Sequence, residues 1–99
     1  MSGDCTKVIY GFEIVSKYDE FELTDSAYRH GFSEQDFLEM THQRNLVIAN
    51  RRGRIQGYEI FGRNAAGEYL LAAAKVVESS GLKILHVFHL NRMKDSDQR

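Results

Sequence analysis

Residues 7–15 alternate: Val8, Tyr10, Phe12 and Ile14 share one side, with Ile9, Gly11, Glu13 and Val15 on the other, a period of two that predicts a strand. The acidic stretch 18–23 reads as a connection or an edge. Thr24 or Asp25 can cap a short helix that closes at Gly31. Ser33 opens a second helix. Asp36, three residues on, makes a capping box with Asp in place of Glu, Phe32 can staple to Phe37 across the N-cap, and Phe37, Met40 and Thr41 mark the buried face. Glu34, Asp36 and Glu39 suit the positive end of this helix, so their acidity serves stability first.

After His42 the helical spacing gives way to short β-rich runs separated by turn residues. Strands are expected at 46–49, 55–63, 68–78 and 82–90, with turns at 50–53, 64–67 and 79–81. The third strand is apolar on both faces and reads as central, although its alanines, Ala72, Ala73 and Ala74, suit a helix by propensity. The polar tail 91–99 is a frayed end or a short helix. These elements predict an α+β domain in which an N-terminal strand and two short helices pack on a four-stranded antiparallel meander. The other face of the meander is left partly open.

With 99 residues and 42% hydrophobic composition, the chain supports one core, and residues 1–99 are expected to form a single domain, 1–21 being an N-terminal extension and strand. The longest uncharged apolar run, from Tyr69 to Ala74, is far short of the ~20 residues of a membrane span, and no basic segment followed by an apolar stretch opens the chain. A single cysteine, Cys5, cannot staple the fold. A cytoplasmic protein without membrane contact is the expectation.

The near-neutral total charge hides an uneven distribution. Residues 1–42 carry nine acids against three bases, and from Gln43 onward ten bases face five acids. A basic half attracts phosphates, whereas two solvated faces that balance each other are the plainer reading. The densest cation cluster is Arg51, Arg52 and Arg54 around Gly53, flanked by Arg44 and Arg63. Its guanidiniums repel one another, and a polyanion relieves that repulsion through bidentate phosphate contacts. The same cluster also suits an ordinary solvated turn.

Other chemistries find little support. His86 and His89 stand three apart on one expected strand, hence on opposite faces, and Cys5 is remote, so no metal site is expected and no cofactor is implied. His86 shares a face with Ile84, Phe88 and Leu90, the usual setting of a core histidine, yet imidazole also exchanges protons near neutrality. No serine has a nucleophile-elbow context, and Gly57 and Gly62 lie within a strand, where they mark a bulge or a close backbone approach. Glu59 and Glu68 are the only acids of the sheet region before Glu78, thin support for a carboxylate pair. What remains is metal-free RNA cleavage, in which the 2′-hydroxyl attacks the adjacent phosphate with the help of a base, an acid and cations. Arg63, Lys75, His86, His89 and Arg92 fall on the expected sheet or its end, and Tyr58 or Tyr69 can stack on a base.

The order of the segments His30-Gly31-Phe32-Ser33-Glu34-Gln35-Asp36, Tyr58-Glu59-Ile60-Phe61-Gly62-Arg63, Gly67-Glu68-Tyr69-Leu70-Leu71, Leu85-His86-Val87 and Arg92-Met93-Lys94 resembles the BrnT-type toxins of the RelE/ParE-like toxin–antitoxin group, over residues 24–99. That resemblance implies a RelE-like small ribonuclease fold, metal-independent cleavage of RNA, growth arrest, and neutralisation by a cognate antitoxin from an adjacent gene. By position, Arg63 matches the arginine of the family's Gly-Arg strand end, His86 its last-strand histidine, and Arg92 lies near its following basic residues, so Arg63, His86 and Arg92 form the implied catalytic set. Arg51, Arg52, Arg54, Lys75 and Tyr58 are the expected RNA contacts. A non-catalytic protein- or RNA-binding domain of the same fold is the alternative, and the Ala- and Val-rich third strand leaves room for a homodimer.

Overall fold

The computed structural model describes residues 6–7, 11–42 and 45–93, with side chains for 14–42 and 45–93. Along them run β1 (Thr6–Lys7), α1 (Gly11–Lys17), β2 (Glu20–Leu23), α2 (Asp25–Tyr28), α3 (Glu34–His42), β3 (Leu46–Arg52), β4 (Ile55–Arg63), β5 (Tyr69–Ser79) and β6 (Leu82–Arg92). The strands form one mixed sheet in the order β1-β3-β4-β5-β6-β2. Strands β3, β4 and β5 each pair antiparallel with the strand that follows. The sheet does not stop at four strands: β1 adds antiparallel to β3 at one edge, and β2 adds parallel to β6 at the other. The architecture is therefore α+β, with few and short helices.

The largest departure from expectation is at the N-terminal end, where 11–15 belong to helix α1 rather than to a strand; Val8 and Tyr10 lie outside the described residues. A short apolar run satisfies both periods. Ile14, Val15 and Tyr18 fall at i, i+1 and i+4, one face of a helix, and all three pack into the core, where α1 meets α3. The acidic stretch after it does become an edge strand, β2.

Helix α3 closes its N-terminus as the sequence proposes. The Ser33 N–H and hydroxyl donate to Asp36 Oδ2 at 2.9 and 3.1 Å, and the Asp36 N–H donates to Ser33 Oγ at 3.3 Å. Its buried residues are Phe37, Met40 and Thr41. The Phe37 ring meets Phe21 of β2, centroids 5.5 Å apart, while Phe32 packs against the core from outside. Burial of Phe37 alone stabilises the fold by about 1.5–3 kcal/mol. Thr24 stands at the N-cap of α2, but its hydroxyl makes no cap hydrogen bond.

One sheet face and the helices share a core. Val47, Ile60, Leu70, Ala72, Ala74, Leu85, Val87 and Leu90 face Phe37 and Met40 of α3, Ile14 of α1 and Ala27 of α2. The alanines of β5 do not make a helix, because Ala72 and Ala74 are needed as small core positions between β4 and β6. Gly62 serves close approach: a Cβ there falls 2.8 Å from the Met40 carbonyl oxygen of α3. Two strands run longer than expected. β3 reaches Arg52, so the β3–β4 turn is only Gly53 and Arg54, and β6 continues through Arg92, while 94–99 lie outside the described residues. No helix among the described residues is long and apolar enough to cross a membrane.

Candidate functional site

The face of the sheet turned from the helices holds the groups that chemistry can use. Tyr58 and Ile60 alternate into the core, so Gly57, Glu59, Phe61 and Arg63 of β4 point the other way. Glu59 lies across from Ile48 of β3 and Ala73 of β5. Around it the surface dips. Gly57 and Ala73 form a floor, Asn50 and Arg52 stand on one side, Lys75 and Phe88 on the other, and the depression measures about 410 Å3. The absence of a side chain at Gly57 matters, since a Cβ built there falls 2.6 Å from Asn50 Oδ1.

A bulge in β6 decides which residues join this face. Ala73 pairs with His89 but Ala74 with Val87, so Phe88 is the extra residue. The slip of one residue brings His86 and His89 to the same face, opposite Lys75 and Ala73, and corrects the expectation that they lie on opposite faces. It also turns Phe88 out, 41% exposed, with Lys75 Nζ 5.9 Å from its ring centre. His89 meets His30 of the α2–α3 loop edge-on, centroids 5.7 Å apart. No group of three or more metal-ligating side chains occurs among the described residues.

His86 has a defined partner. Its Nε2 is 2.7 Å from Glu22 Oε1 of β2. A carboxylate oxygen accepts, so Nε2 carries the proton and Nδ1 of the neutral ring carries the lone pair. This pair is part-exposed, 29% for the His86 side chain and 58% for that of Glu22, and contributes little to stability. It fixes instead the tautomer and the direction of the imidazole. Lys75 sits beside it as the cross-strand partner of His86, with Cβ atoms about 5 Å apart in such pairs.

The other expected residues disperse. Arg63 lies on the open face with its guanidinium over the Tyr69 ring, 4.9 Å to the centroid. It pairs with Tyr69, six residues from Lys75 along β5, which places it about 20 Å from His86. Arg92 pairs with Leu70, a core-face residue, and its guanidinium is held by Glu68 and lies over the Phe32 ring. Hydrogen bonds from Arg92 and then from Asn64 hold the Glu68 carboxyl below its ordinary value. Asn64, itself buried, donates to Asp36 Oδ1 and Glu68 Oε1, both at 3.1 Å, which ties α3 to the β4–β5 hairpin. Arg92 therefore belongs to a structural network, and the three residues of the implied catalytic set do not meet.

Among the expected RNA contacts, Lys75 is on the open face. Arg51 and Arg52 alternate to opposite faces of the β3–β4 hairpin, with Arg54 at its tip, so the triplet is not one patch. Tyr58 is 6% exposed, with its hydroxyl 2.7 Å from that of Tyr18, and its ring offers no face to a base. Burial pushes its phenol above the ordinary range, and the Tyr18 hydrogen bond adds to this. Sequence reasoning missed Glu22 and Phe88. Nothing local signals the first, whose partner is 64 residues away, and a one-residue bulge exposes the second. Glu59, the lone acid of its strand, was visible as an oddity only.

Comparison of the chain with family models, with curated proteins and with solved structures found no match.

Proposed function

We propose that the protein is a toxin-type, metal-independent endoribonuclease that binds RNA across the open sheet face and cleaves it at the cluster of His86, Glu22 and Lys75. The observation that carries this reading is the register of β6 with β5 and β2, which sets the His86 imidazole, held by the Glu22 carboxylate, beside the Lys75 ammonium group on the sheet face turned from the helices. Glu22 holds the Nε2 proton, so His86 Nδ1 takes the proton of the RNA 2′-hydroxyl. The 2′-oxygen then bonds to phosphorus as the bond to the 5′-oxygen breaks. The departing 5′-oxygen takes a proton from water, leaving a 2′,3′-cyclic phosphate and a 5′-hydroxyl. Lys75 offsets charge on the phosphoryl oxygens. Arg63, further along the face, holds a distant phosphate of the same strand, and Arg92 is assigned no chemical step. The resemblance of 24–99 to the BrnT-type toxins supports a cytoplasmic site of action and control by a cognate antitoxin.

The test is induction of the gene in a bacterium, alone and with its neighbouring reading frame, followed by growth and RNA integrity. Arrest with discrete cleavage, relieved by the neighbour, is expected. Purified protein should cut RNA in the presence of EDTA and leave cyclic phosphate ends, and His86→Ala should lower the rate about 10²–10⁴-fold with the fold intact. Full activity in folded His86→Ala refutes the assignment. The dispersal of Arg63 and Arg92 favours one second reading, a binding domain without chemistry; bound but uncut RNA and normal growth select it.

A further inference from the structure

The depression on the open face has a feature that neither stability nor the cleavage chemistry uses. Glu59 is a carboxylate on an interior strand with Ile48 and Ala73 as its cross-strand neighbours, and it makes no hydrogen bond or ion pair among the described residues. Lys75, diagonal to it across β4 and β5, leans over Phe88 instead. The Asn50 amide at the rim is likewise unengaged and lies over Gly57. An acceptor that the fold leaves unsatisfied, a primary amide and an exposed ring thus surround one shallow space of about 410 Å3.

We infer that this depression is a pocket for a guanine base. Single-stranded bases are read by stacking on an aromatic ring and by hydrogen bonds along the Watson–Crick edge. Guanine is the one common base that presents two adjacent N–H donors, N1–H and the 2-amino group, to a single carboxylate, with the O6 acceptor next to them. Glu59 accepts both N–H groups, the Asn50 amide donates to O6, and Phe88 supplies the stacking face. Adenine sets a bare N1 lone pair against the carboxylate, and uracil and cytosine offer it one donor group each. Arg52, on the rim, meets the phosphate attached to the base. The pocket shares Lys75 with the cleavage cluster, so the inference deepens the endoribonuclease reading and rests on it for the view that the base belongs to RNA.

The experiment uses the whole chain and two sets of probes. The four nucleoside monophosphates, titrated by NMR or calorimetry, separate a free nucleotide from a polymer, and single-stranded RNA oligomers with one guanine in an adenine and uracil background supply the polymer arm. Guanosine monophosphate, or the guanine-bearing oligomer, should bind at least about 10-fold more tightly than its counterparts. Glu59→Gln should reduce that preference to about threefold or less, and Phe88→Ala should weaken every base. Equal affinities, no guanine dependence in either arm, or a preference intact in Glu59→Gln overturns the inference. RNA cleaved without regard to guanine refutes the pocket and leaves the endoribonuclease reading standing. Selective guanine binding by a protein that cuts no RNA supports the pocket and refutes the cleavage.

Discussion

Replacing Asn64 with alanine removes three hydrogen bonds made by one buried side chain. Its amide nitrogen donates to Asp36 Oδ1 and Glu68 Oε1 at 3.1 Å, and its amide oxygen accepts from the Glu68 N–H at 2.9 Å. A neutral hydrogen bond contributes about 1 kcal/mol net and one to a charged group about 1.5–3 kcal/mol, so the low end of each range applies where water can return. Water does return to Glu68, whose side chain is 32% exposed, and not to Asn64, which is 3% exposed. The expected loss is about 3.5–4 kcal/mol, a large part of the ~5–15 kcal/mol that holds a domain of this size. In urea unfolding followed by circular dichroism, the midpoint should fall by about 1–2 M with an unchanged slope. Asn64→Asp should lose more at neutral pH, because a third carboxylate then faces Asp36 and Glu68, and should recover in part on acidification. A midpoint within about 0.3 M of the parent for Asn64→Ala refutes the view that this residue locks α3 to the β4–β5 hairpin.

Gly62→Ala should cost about 1–3 kcal/mol in the same assay, because its Cβ meets backbone at Met40, whereas Gly57→Ala meets the movable end of Asn50 and should cost less than about 1 kcal/mol. Equal costs would contradict the close approach of α3. Tyr58 makes stability depend on alkaline pH. Its folded pKa is raised above the unfolded one, so the contribution is complete below about pH 10 and declines as pH rises beyond it. Spectrophotometric titration should find one tyrosine that ionises only with unfolding, and Tyr58→Phe should remove that class; five tyrosines titrating together would refute the Tyr18–Tyr58 contact.

The chain itself determined what rests on neighbours in sequence. The Ser33–Asp36 box, the buried face Phe37, Met40 and Thr41, and the succession of strands after His42 depend on capping geometry and on periods of 3.6 and 2, which a local reading captures. The same reading placed Lys75 and Arg63 on the sheet. It misassigned α1, where five residues of alternation also fit a helical face and only packing against α3 separates the two. The site belonged to the tertiary structure. Glu22 reaches His86 because β2 enters the sheet parallel to β6, a pairing across 64 residues with no local signature. The single extra residue at Phe88 reverses the faces of all that follows it on β6, so His86 and His89 come together while Arg92 turns toward Glu68. A strand's period is two, and one bulge therefore changes the chemistry of a face without changing the pattern from which the strand is recognised.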